Sequence, residues 1–399
     1  MATILFTGDV YIGSVPGELP VDFFFDGTRG AIAKGDLAIS HLESPPTSGP
    51  TTAAAGQTFE LLEAMARAGF DAVSMASNHS HDAGHLGIVE TTERFRALGV
   101  VPFGVGVNIG AARTPAVLEH AGLRVGLLAY NCVGPMESWA TLASAGAAYV
   151  DVITHYRPDP VLTARMGNAP GAAAPPTVYT FATPESVEAL GHDVEALRER
   201  VDVVAVVLHK GVVGEATVLD HYERPLSYAA IDAGADIVVS HHAHILRGVE
   251  VYKGRPIYHG LGNYASAFSF ESSPDQAKYN AMREQLGDFK RRVFDCYLPP
   301  DGEADPPYAT YPYKPDSRFS MIGECRVDGQ GVTWAGLIPC FFEPNGQNTT
   351  YGPGSVRGEQ VLGYIRHITD KANLGATLDW DGERIVFLKA GARDHATRA

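Results

Sequence analysis

Ser240-His241-His242-Ala243-His244 follows the apolar run Ala235-Asp236-Ile237-Val238-Val239, which reads as a buried strand. Three imidazoles leaving one strand end rarely serve packing. Two of them separated by a single residue can turn both rings toward one point, and imidazole is the commonest metal ligand in proteins. The plainer alternative is a polar surface loop. It is weakened by what lies upstream.

Four further runs stop in the same way. Thr3-Ile4-Leu5-Phe6-Thr7-Gly8-Asp9 ends in glycine and a carboxylate, and Asp36-Leu37-Ala38-Ile39-Ser40-His41-Leu42-Glu43 ends in a histidine and a glutamate. Asp71-Ala72-Val73-Ser74-Met75 runs on to Asn78, His79, His81 and Asp82, and Val201 to Leu208 stops at His209. Apolar runs without clean alternation predict strands covered on both faces. Functional groups gathered at one end of such strands form a shared site.

The order Gly-Asp, Leu-Glu, Asn-His-x-x-Asp, His-x-Gly, His-x-His resembles the calcineurin-like metallophosphoesterase superfamily. More closely it resembles the CapA-type branch associated with poly-γ-glutamate capsule synthesis. His41-Leu42-Glu43-Ser44, Ser77 to Gly84, His209-Lys210-Gly211, and Ala233 through His244 to Ile257-Tyr258-His259-Gly260-Leu261-Gly262-Asn263-Tyr264 carry the likeness, which spans roughly residues 3 to 265. It implies an α/β fold, a two-sheet β-sandwich flanked by helices in four αββα layers. A catalytic domain over 1–268 is expected, with a C-terminal extension over 269–399 that packs on it or completes it.

Carried over position by position, the resemblance places Asp9, Glu43, Asn78, His209, His242 and His244 around a divalent metal, with no organic cofactor. His79 becomes the proton-transferring residue and Asp82 its orienting carboxylate, since a carboxylate on the far ring nitrogen fixes the tautomer. Asn263 would support the metal loops from behind, and His259 would make a structural hydrogen bond. Departures from the pattern matter. Tyr11 stands where the superfamily has a histidine ligand, His41 where the branch has asparagine, and Lys210 where it has tryptophan. Losing a ligand puts a two-metal site in doubt. His41 and His81 add groups that titrate near neutral pH. Lys210 and Arg247 could hold a substrate carboxylate, with Tyr11 nearby.

Composition sets limits. The 399 residues are 45% hydrophobic, ample for a large core. A formal charge of -15, from 31 basic against 46 acidic residues, argues against nucleic-acid binding. No run of about 18 apolar residues predicts a membrane span. Read as complete at Met1, the chain has no signal region and is expected in the cytoplasm. Cys132, Cys296, Cys325 and Cys340 form no Cys-x-x-Cys pair and read as buried, inert thiols. His120, His155, His192, His367 and His395 lie off the strand-end pattern, while His85 and His221 stay open.

Helices are predicted over 57–68, 88–98 and 186–200. Gly99 is the C-cap candidate of the second; Thr183 is the N-cap and Pro184 the first-turn residue of the third. Residues 170–176 and 299–315 read as loops; the first, which lies after Gly134-Pro135 and the Ala-rich stretch to Val150, is expected to form either part of a substrate rim or an ordinary surface loop. The tail reads as a strand over 331–342, a helix near 356–371 and a hairpin turning at Asp381-Gly382.

These parts suit an enzyme acting on a peptide. The reading preferred here is epimerisation of an amino-acid residue at Cα in a ribosomally made, lasso-type precursor, as in epimerases that some CapA-type members resemble. One divalent ion would assist, and His79 with Asp82, joined by His41, His81 or His244, would move the protons. Hydrolysis of a phosphoester or amide, or a poly-γ-glutamate synthesis role, is the second reading. A non-catalytic metal-binding module that recognises peptide is the third. Metal identity and oligomeric state are not legible.

Overall fold

The computed structural model describes residues 1–13, 19–50, 57–157, 177–267, 308, 311 and 313–389. The apolar runs become strands of two sheets. Among the described residues, one sheet runs Asp379–Asp381, Arg384–Lys389, Gly331–Phe342, Phe319–Asp328, Ala2–Ile12, Leu37–Leu42, Ala72–Ser74, Val101–Phe103. Asn263–Ala267 also pairs with Ala2–Ile12, and Asn348–Thr350 with Gly331–Phe342. The second sheet runs Val249–Tyr252, Arg255–Tyr258, Ile237–His241, Val203–His209, Leu123–Asn131, Ala116–His120.

The two sheets share one core. Phe6, Ile39 and Val73 of the first pack in a continuous cluster with Leu127, Ala205, Val207 and Val239 of the second. Alternate residues of the second sheet, Leu128, Val204, Val206 and Val238, face outward against Leu190, Val194 and Leu226 of the helices Pro184–Arg198 and Glu223–Asp232. Phe24, Phe25, Leu61, Leu62 and Met65 of Phe23–Ile32 and Phe59–Ala68 join the first cluster. This is the four-layer sandwich expected. The neighbouring strands are parallel where the ligand-bearing runs meet, which explains their continuous burial.

Register does the rest. Asp9 pairs with His41 and with Asn263, His41 pairs with Ser74, and His209 pairs with both His241 and Asn131. Equal strand levels therefore bring the ends of both sheets to one edge. Gly8 permits this crossing. A Cβ there would lie 1.9 Å from the Gly262 carbonyl oxygen, so only glycine allows the Asp9 strand to approach the 262–263 turn.

The predicted tail elements are present: the strand Gly331–Phe342, the helix Val356–Lys371 and the hairpin Asp379–Asp381 with Arg384–Lys389. The strand Phe319–Asp328 was not anticipated. It pairs antiparallel with Ala2–Ile12, so the tail builds onto the same sheet as the N-terminal strand. Gly99 takes the left-handed conformation after the helix Gly84–Ala97. Thr183 sits at the N-cap position, but its side chain makes no capping hydrogen bond, and Pro184 alone shapes that entry. The expected loop 170–176 lies outside the described residues, as does most of 299–315.

Candidate metal centre

The centre begins with Asp9, His41 and His209, each buried, whose ligand atoms lie within 4.8 Å of one another. Around them the other expected ligands close in. His209 Nε2 is 2.7 Å from Asn78 Oδ1 and 3.1 Å from His242 Nδ1. His244 Nε2 lies 3.0 Å from Glu43 Oε1, and the His242 amide donates to Asp9 Oδ1 at 3.4 Å. Asn263 Oδ1 receives His244 Nδ1 at 2.8 Å, which fixes that ring from behind. His242 and His244 both hold positive φ, 88° and 52°, unusual for residues with side chains. Such geometry costs on the order of 1–3 kcal/mol and marks a conformation imposed by the surroundings.

Charge and burial fit this set to a divalent cation. Asp9 Oδ2, His41 Nε2 and His209 Nδ1 are buried with no hydrogen-bond partner among the described residues. Burial pushes the Asp9 carboxyl up to about 7, against the pull of His244. Burial pushes His41 and His209 well down and His242 to about 3, which keeps their nitrogen lone pairs free. Burial would raise Glu43, but His244 outweighs it and holds the carboxyl near 2, while Glu43 in turn lifts His244 to about 9 despite burial. Buried carboxylates beside the neutral imidazoles of His41, His209 and His242 are a donor set that a cation would complete.

His79 stands at the open side. Its side chain is 39% exposed, with Nδ1 2.8 Å from Asp82 Oδ2 and Nε2 3.9 Å from Glu43 Oε1. Ser44 Oγ donates to the same Asp82 oxygen at 3.2 Å. Burial opposes the imidazolium, but the Asp82 hydrogen bond and the Glu43 charge outweigh it and raise the His79 pKa. Tyr11 lies alongside, its ring centroid 6.4 Å from that of His79. It packs against a cluster of Tyr308, Tyr311, Tyr313 and Phe342.

Several expectations need correction. His41 is fully buried and stacked on His209 and His241, which sets its ring among the candidate ligands and away from solvent. His244 is likewise buried, held between Glu43 and Asn263 and turned away from the open side. Lys210 and Arg247 do not face the open site. Both side chains are 0% exposed, and both bind Glu223 Oε2, at 3.1 and 2.6 Å. His81 is half-buried and turns toward His85, 5.1 Å between centroids. His259 makes the expected structural bond, to Glu250 Oε2 at 2.9 Å.

Two neighbours escaped notice in the sequence. His241 stacks on His41 at 4.4 Å with its Nδ1 unpartnered among the described residues. The doubled His241-His242 was itself the available signal. Glu223 carries no local signal at all. Cys132, Cys325 and Cys340 are free and buried, as expected, and Cys296 lies outside the described residues. No helix of the described residues is long and apolar enough to cross a membrane.

Residues 3–267 match the family model described as bacterial capsule synthesis protein PGA_cap, and the chain belongs to that family. It is similar to the PGA biosynthesis protein CapA of Bacillus subtilis (strain 168), 24% identical over 306 residues, covering 73% of this chain and 71% of that one. The capsule biosynthesis protein CapA of Bacillus anthracis is 26% identical over 218 residues, 55% of this chain and 45% of its own length. Among solved structures, the calcineurin-like phosphoesterase YfkN from Bacillus subtilis matches with TM-score 0.35 and 14% identity, covering 93% of this chain and 97% of that one. The NAD nucleotidase of Haemophilus influenzae matches with TM-score 0.36 and 11% identity, covering 94% and 61%. Likeness at that level is remote.

Proposed function

We propose that this chain is a metal-dependent acid–base enzyme acting on a peptide, and that its reaction is epimerisation at Cα of a residue in a ribosomally made, lasso-type precursor. The observation that carries the reading is the His79–Asp82 pair. The His79 side chain is 39% exposed, and Asp82 holds its Nδ1, which leaves Nε2 free for proton transfer, 3.9 Å from Glu43 Oε1.

Asp9, His41, Glu43, Asn78, His209, His242 and His244 would hold the cation. When bound, it supplies positive charge that stabilises negative charge developing on a substrate oxygen. His79 Nε2 takes the Cα proton, and the electron pair of the broken C–H bond passes toward the adjacent carbonyl. Asp82 keeps the imidazole in the tautomer that accepts at Nε2 and steadies the imidazolium that forms. Return of a proton to the opposite face inverts the centre. Of the histidines considered for that second role, His81 is the one not buried.

A second reading, hydrolysis of a phosphoester, is favoured by the carboxylate, amide and imidazole donors at Asp9, Glu43, Asn78, His209, His242 and His244. There His79 would protonate the leaving oxygen. Incubation with a lasso-type precursor peptide and, separately, with an aryl phosphate divides the two. A D-residue found by chiral analysis of the peptide, with no phosphate release, is expected; metal-dependent phosphate release without inversion would replace epimerisation by hydrolysis.

A further inference from the structure

Beside the candidate centre lies a cavity of about 700 Å³, with His242 in its wall. Its charge is one-sided. Asp151, Glu215 and Asp220 line it, and among the described residues no lysine or arginine does. Lys210 and Arg247 lie behind it, fully buried and sharing the single carboxylate of Glu223. Trp139, also in the wall, stacks on Tyr149 with centroids 4.2 Å apart, an aromatic surface suited to a cation.

The ribbon of Val152–Arg157 and Thr177–Ala182 forms one side. Thr154 pairs with Thr180 and Val152 with Ala182, so these residues share a face, and Val152, Thr154 and Thr180 line the cavity. The paired Ile153 and Phe181 lie on the opposite face, 51% and 46% exposed. Met136, 71% exposed, and Val212, 39% exposed, add apolar surface to the lining. A mostly apolar cleft with a few convergent polar groups beside a reactive cluster has the character of a ligand site.

From this we infer that the cavity binds a positively charged, partly apolar segment of the substrate peptide and rejects polyglutamate. Carboxylates gathered in one cleft attract a lysine, arginine or terminal ammonium and repel a chain of glutamates. The inference rests on the peptide reading above, but it concerns binding, which can be measured apart from turnover.

Calorimetric titration of the full chain tests it with three probes: a capped pentapeptide containing two lysines, its twin containing two glutamates, and a γ-linked glutamate oligomer. The lysine peptide is expected to bind at least about ten-fold more tightly than either acidic probe, as two or three nearby opposite charges allow. Joint Glu215→Gln and Asp151→Asn substitution should erase the preference, and circular dichroism would verify that the variant is folded. Equal binding, tighter acidic binding, no binding of any probe, or a preference that survives in the folded variant would overturn the inference. A lysine preference in a protein that inverts no peptide would leave the cavity assignment standing and remove the proposed reaction. Inversion without the preference would do the reverse.

Discussion

Arg247 Nη1 donates to Glu223 Oε2 at 2.6 Å, with both side chains fully buried. Lys210 meets the same oxygen at 3.1 Å, so one carboxylate ties the strand end at His209 to the loop that follows His244. Gly211 belongs to this clasp, because a Cβ there would fall 2.2 Å from Arg247 Nη1. Removing Glu223 leaves two buried cations with one carboxylate fewer. Glu223→Ala is expected to cost about 3–5 kcal/mol, read as a lowered urea midpoint. A change within about 0.5 kcal/mol would contradict the clasp.

Acid should loosen the same joint. Burial would raise the Glu223 carboxyl, but Lys210 and Arg247 overcome it and hold it at about 2 against an ordinary 4.5. The unfolded chain therefore takes up this proton first as pH falls. The associated stability, about 3 kcal/mol, is present above roughly pH 4.5 and is lost as pH falls toward 2. Burial of the Lys210 ammonium offsets part of it. Glu223→Gln should begin less stable and lose less over that window; parallel urea midpoints for the two proteins between pH 5 and 2.5 would count against this sign.

At the centre, Asp9→Ala and Glu43→Ala each remove a buried carboxylate that faces the imidazoles. Both should lose bound divalent metal, by at least about ten-fold in occupancy on elemental analysis after dialysis. Unchanged metal content in either would contradict its place among the ligands.

Gly8→Ala should disturb the same centre from the backbone. The added methyl meets the Gly262 carbonyl carbon at 2.8 Å and its oxygen at 1.9 Å, so the strand or the 262–263 turn must move. A loss of about 1–3 kcal/mol is expected, together with weaker metal binding. A wild-type melting temperature would show that the two backbones can separate freely.

Much of this centre was legible because its residues end apolar strands. Asp9, Glu43, Asn78, His209, His242 and His244 converge since parallel strands in register deliver their ends to one edge. Depth was not legible. Whether His41 is a ligand or a base depends on its pairing with Asp9 and Ser74, which buries the ring between two sheets. Lys210 and Arg247 announce charge in the sequence but not its partner. Glu223 is 13 and 24 residues away, and only the packing of its helix against the strand ends brings it to them. The strand Phe319–Asp328 went unread because Gly323, Glu324 and Arg326 interrupt its apolar pattern. The acidic cavity brings Asp151 together with Glu215 and Asp220 of the loop that follows His209, a convergence that follows only from the fold.

The proton-transfer role rests on His79. His79→Ala should reduce turnover by about 10²–10⁴-fold while leaving fold and metal intact, and Asp82→Asn should lower it by weakening the tautomer that exposes Nε2. Near-wild-type rates in both variants would remove the pair from the reaction.

The most direct measurement is uptake of solvent deuterium at Cα. A lasso-type precursor peptide would be incubated in heavy water with the wild-type protein and with His79→Ala, each with and without chelator. The expected result is a gain of one deuterium at a single residue, accompanied by inversion, seen with the wild type and abolished by chelation or by the substitution. Inversion that proceeds equally well in His79→Ala, or a peptide that gains no deuterium while an aryl phosphate is cleaved, would contradict proton transfer at Cα by the His79–Asp82 pair.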